Sequence, residues 1–178
     1  MPKGNRMDIL SSIISFLIYL LVAVPVCLVL HEFGHAIMIL LLTKQKVTFQ
    51  FGVRGPKQDI HWGRLTILLY IEPSTMLGAR YYYENYAALS RRQVFWITVG
   101  GPLASLFFTI LCGALWCGAN RVDPWRGLAL INFINFLYTS IPGHYPKWQG
   151  VQGGIPNDAL QLVNLFRQAK DKNGGSRR

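Results

Sequence analysis

His31, Glu32 and His35 stand in the pattern H-E-x-x-H. On a helix this spacing puts two imidazoles one turn apart on one face. There both can grip a single metal ion, with a carboxylate beside them to handle protons. The motif lies inside an almost unbroken apolar run, residues 9–42. A charge at mid-bilayer costs about 2.5–3.5 kcal/mol even on the lenient insertion scale. Three ionisable side chains in five residues of such a run need a compensating partner, and a buried metal supplies one.

Hydrolytic zinc needs three protein ligands and one open position. Bound there, the ion lowers the pKa of a water to about 7 and polarises a carbonyl. His31 and His35 would be two ligands and Glu32 the general base. A metzincin would continue with Gly and His, but Met38 and Leu41 occupy those positions. The remaining candidates for the third ligand are Asp59, His61, Glu72, Glu84, Asp123, His144 and Asp158. Asp158 follows Pro156 and opens a helix; His144 is its main rival.

These residues must be positioned by membrane elements. Half of the 178 residues are apolar, and they cluster in blocks rather than spreading through a soluble core. The first span is residues 9–42, long enough that it must tilt, protrude or kink, and Pro25 is the place for a kink. Its length and flanks exclude a signal peptide. A second span is expected at about 94–117, opened by a capping box of Ser90 with Gln93, and a short third at about 127–141. In the second, Gly100/Ala104 and Gly101/Ser105 are small-xxx-small pairs suited to close helix packing. In the third, Asn132 and Asn135 share a face that should point inward. Between the first two spans, residues 47–53 and 65–71 alternate with a period of two and predict a β-hairpin or small sheet. An amphipathic helix starts at Asp158, and residues 170–178 read as an unstructured tail. The whole chain, 1–178, reads as one membrane-embedded domain.

Net charge is +10, but Lys and Arg flank the apolar blocks. That pattern favours anionic headgroups over nucleic acid as the partner. Cys27, Cys112 and Cys117 sit in apolar segments without C-x-x-C spacing and read as packing residues. With three spans, loop 43–93 and the C-terminal region share one side and hold 14 of the 18 Lys and Arg. The positive-inside rule then puts them in the cytoplasm and the N-terminus outside, with the cell membrane as the expected location and Asp123 on the wrong side for the motif.

The chain resembles the site-2 protease family of intramembrane zinc metalloproteases. The resemblance rests on His31-Glu32-Phe33-Gly34-His35 in a first core span, Gly101-Pro102 in a second, and an Asn followed downstream by Pro and Asp. It covers roughly residues 9–166. It implies that His31, His35 and Asp158 hold one zinc per chain and that Glu32 is catalytic. It also implies that Asn132 or Asn135 lies near the active site. Ala159 stands where the family has Gly, and the Asn-to-Asp interval is longer than the family's.

The function expected is hydrolysis of a peptide bond within or next to a transmembrane segment of a single-span membrane protein. Such a helix must unwind before its carbonyls are reachable, and an open edge in 47–53 or 65–71 would pair with the unwound strand. The alternative is a pseudoprotease that binds and regulates a transmembrane helix, alone or with a regulatory membrane partner; an intact Glu32 argues against it. A zinc transporter would need ionisable groups along a path through the other spans, which lack them.

Overall fold

The computed structural model describes residues 6–52, 54–72, 78–118, 123–147 and 153–174. Helix α1 (Arg6–Leu42) carries Pro25 inside it. One stripe of its buried side chains recurs every four residues: Ala23, Cys27, His31, His35 and Ile39. This stripe packs on α2 (Arg91–Gly118), which contains Pro102. The expected capping box opens α2: the Ser90 N–H donates to Gln93 Oε1 (2.9 Å) and the Gln93 N–H to Ser90 Oγ (3.3 Å). The two backbones meet at Gly34 and Gly100. A Cβ on Gly34 would sit 2.4 Å from the Gly100 carbonyl oxygen, so both positions must stay bare.

Helix α3 (Asp123–Ser140) runs beside α1 in the same direction. The Tyr19 hydroxyl donates to the Pro124 carbonyl (2.8 Å), and Asn132 Nδ2 donates to Cys27 Sγ (3.1 Å). Among the described residues, two helices are long and apolar enough to cross a membrane, within Ile9–Leu42 and Arg91–Gly118. The expected third span falls on α3, which is not one of them. Its inward face is polar, with Asn132 and Thr139 both buried, and this lowers its hydropathy. Because α3 begins level with Tyr19, α1 outruns it: residues 9–18 are exposed throughout.

Between α1 and α2 lies a four-stranded sheet of order β2-β3-β1-β4. The strands are β1 (Val47–Phe51), β2 (Lys57–Trp62), β3 (Leu65–Tyr70) and β4 (Ala79–Tyr83). The alternating runs at 47–53 and 65–71 are strands, as expected, except that Val53 lies outside the described residues. They do not pair as a hairpin with each other. β1 and β3 are parallel, Val47 opposite Leu65, and the hairpin partner of β3 is β2, turned at Gly63 with φ +59°. β2 is exposed along its whole length, Ile60 and Trp62 included, so neither of its faces joins the core. β1 and β3 therefore lie inside the sheet, and β2 and β4 are its edges.

Val47, Phe49, Leu65 and Ala79 of the sheet form one core with Ala36, Ile39 and Ile97 of the helices. The Arg64 guanidinium fastens the sheet to the end of α1, donating to the Leu40 carbonyl (2.7 Å) and the Thr43 carbonyl (2.5 Å). These are carbonyls a helix end leaves without partners. Helix α4 (Asp158–Gly174) packs on α2 and α3 and continues into the stretch read as tail; residues 175–178 lie outside the described residues.

Candidate metal centre

The α1 stripe turns His31 and His35 toward α2, and both rings are buried, 2% and 1% exposed. Glu32 is 8% exposed, between them along the chain. Each histidine is aimed by a hydrogen bond from its Nδ1. His35 Nδ1 lies 2.7 Å from the Ile97 carbonyl oxygen, which only accepts, so Nδ1 carries the proton and the Nε2 lone pair is free. The Gly101 N–H, 3.3 Å from the same nitrogen, is then no donor to it. His31 Nδ1 lies 2.9 Å from Ser105 Oγ. Tyr81 of β4 stacks on the His35 ring, centroids 4.8 Å apart.

Asp158, the first residue of α4, meets both histidines. Its Oδ2 is 3.0 Å from His31 Nε2 and its Oδ1 is 3.5 Å from His35 Nε2. It is 4% exposed. Burial opposes its charge, but His35 and the hydrogen bond from His31 prevail and hold the carboxyl well below the usual carboxylate range. The ligand atoms of His31, His35 and Asp158 all lie within 4.8 Å of one another. Two imidazole Nε2 atoms and a carboxylate converging in a buried space could hold a metal ion.

Gly101 leaves room for it. A Cβ on Gly101 would lie 2.2 Å from His35 Nε2 and 2.7 Å from His31 Nε2. The space beside this glycine is thus close to the separation of about 2.0–2.1 Å at which imidazole binds zinc. The next residue, Pro102, is also buried and lacks the N–H that would bond the Thr98 carbonyl.

Asp158 is delivered by the backbone pairing of residues 143–145 with 154–157. The Tyr145 N–H donates to the Ile155 carbonyl (2.9 Å), and His144 bridges Pro156 through the backbone. His144, the rival third ligand, is exposed and is not in the cluster; its backbone bridges Pro156, two residues before Asp158. Asn157, which sequence reasoning missed, locks this arrangement. Its Oδ1 accepts from the N–H groups of Gly143 and Leu160 (both 3.1 Å), and its Nδ2 donates to the carbonyls of Tyr138 (3.0 Å) and Ile141 (2.7 Å). It is the N-cap of α4 and joins that helix to the end of α3. An Asn directly before a helix-opening Asp was the available signal.

Of the two inward asparagines, Asn135 reaches the site: its Nδ2 donates to Ser105 Oγ (3.2 Å). Asn132 lies one turn away and serves the contact with Cys27. The other candidate ligands are elsewhere. Asp59 pairs with Lys57 (3.3 Å) on exposed β2, and His61 contacts Thr66 on the same hairpin. Glu72 and Glu84 are not in the cluster. Neither a family model nor a curated protein matches this chain.

Proposed function

We propose that the protein is an intramembrane metalloprotease of the site-2 protease type, with one zinc held by His31, His35 and Asp158. The observation that carries this reading is the meeting of Asp158, from the far end of the chain, with the two Nε2 atoms of the H-E-x-x-H helix beside Gly101. Three donors with one position left open are the pattern of catalytic rather than structural zinc. The membrane setting is supported by α1: the apolar window of this helix is only 11% buried within the protein, so lipid is the natural cover for it.

When bound, the ion supplies Lewis acidity and an activated water. Glu32 receives the proton that the attacking water gives up and passes it to the leaving amine nitrogen. Asp158 and the histidines keep the buried charge balanced. Tyr81 covers the His35 ring. Its phenol, pushed up by burial and then by Glu32 and Asp158, stays protonated at working pH.

The substrate strand is best served by β4. The Gly52 N–H bonds the Gly78 carbonyl (2.7 Å), and in this register bonded pairs continue at Arg80 and Tyr82. Tyr81 and Tyr83 therefore direct their backbone N–H and C=O away from β1, along the sheet edge nearest the metal ligands. An unwound substrate segment can add there.

The test compares the membrane proteins of cells making wild type or Glu32→Gln. Single-span proteins truncated within or next to the span should appear only with wild type. If a metal-loaded wild type yields no such fragments, the protein is a binder of helices rather than a protease.

A further inference from the structure

The two histidines are oriented by unlike partners. The Ile97 carbonyl that faces His35 can only accept a proton, so it allows one tautomer. The Ser105 hydroxyl that faces His31 can either donate or accept. If it donates, His31 carries its proton on Nε2, toward Asp158 Oδ2 at 3.0 Å, and has no lone pair there for a metal. Asn135 bears on this choice. Its Nδ2 donates to Ser105 Oγ (3.2 Å) and takes one of the two oxygen lone pairs. The second lone pair can then accept from His31 Nδ1–H, 2.9 Å away, the tautomer that frees Nε2 for a metal; without a metal, Asp158 at 3.0 Å from Nε2 draws the proton there instead. Ser105 is 0% exposed, so water cannot substitute for either partner.

We propose that Ser105 and Asn135 are positioning residues which fix His31 in its metal-binding tautomer, acting in series from α3 through α2 to α1. The inference rests on the metal centre described above. Partners of this kind typically change metal affinity by 10–100-fold. Because they act in series, Asn135 has nothing to act through once the hydroxyl is gone.

The experiment measures Zn²⁺ affinity of the full-length protein by competition with a chromogenic chelator. The same proteins are loaded with Co²⁺ and their visible absorption recorded. Ser105→Ala should weaken Zn²⁺ binding by about 10–100-fold and alter the Co²⁺ spectrum. Asn135→Leu should weaken it by a smaller factor. The double variant should bind no more weakly than Ser105→Ala alone, because coupled residues are not additive. If Ser105→Ala does not fold, Asn135→Leu with Ser105→Thr, which restores the hydroxyl and should bind like wild type, carries the test. Wild-type affinity and spectrum in both Ser105→Ala and Asn135→Leu overturn the proposal, as do losses that add in the double variant. A wild type that binds neither ion fails the metal centre itself, a result distinct from either.

Discussion

At the residue scale, Gly101 is as informative as the ligands. Its missing Cβ leaves the space that the two Nε2 atoms border, at 2.2 and 2.7 Å. Gly101→Ala should fold, since alanine favours a helix by up to about 1 kcal/mol. Its metal content should nevertheless fall by about 10-fold or more, measured by elemental analysis of the purified protein. Glu32→Gln should show the opposite pattern, with metal retained and cleavage lost by at least about 10²-fold, the lower range for removing a general base. His31, Glu32 and His35 were legible in the sequence because a helix converts their spacing directly into a shared face. Asp158 was not legible from spacing alone: its 127-residue separation from His31 is closed only in the assembled fold, where residues 154–157 pair with 143–145. Ser105 was read as a packing residue, and its bond to His31 depends on the rotation of α2 against α1, which no local pattern encodes.

At the element scale, the site depends on how α4 begins. All four hydrogen-bonding positions of the Asn157 amide are used, two on the N–H groups of Gly143 and Leu160 and two on carbonyls at the end of α3. Asn157→Ala removes an N-cap, a loss of about 1–2 kcal/mol, and frees the paired segments that present Asp158. Thermal unfolding should occur at lower temperature, and zinc should bind more weakly although no ligand has changed. The sheet makes a separate prediction. Tyr83→Pro removes a backbone donor on the outer side of β4 and leaves the ladder to β1 intact, so cleavage should drop at unchanged zinc content. Tyr83→Phe is the control and should behave as wild type. The capping box of α2 and the strands β1 and β3 were readable from local chemistry. Their parallel pairing was not, because the placement of β2 outside β3 follows only from the assembled sheet.

At the scale of the molecule, the bundle is level only in part. The Tyr19–Pro124 and Cys27–Asn132 bonds align α3 with the middle of α1, and residues 9–18 extend past that level with every position exposed. Residues 19–42 still exceed the roughly 20 needed to span a bilayer. A chain lacking residues 2–14 should therefore remain in the membrane fraction with its metal content unchanged. The charge count proposes an outside N-terminus and a cytoplasmic C-terminus; reporters fused after Arg178 and within 119–122 should report opposite sides. The central claim, that His31, His35 and Asp158 form one metal centre, is tested most directly by the metal content of protein purified without added chelator. The account predicts about one zinc per chain in wild type and in Glu32→Gln, and almost none in His35→Ala or Asp158→Ala. A wild type free of any divalent ion, or an Asp158→Ala variant that holds metal as wild type does, would contradict it.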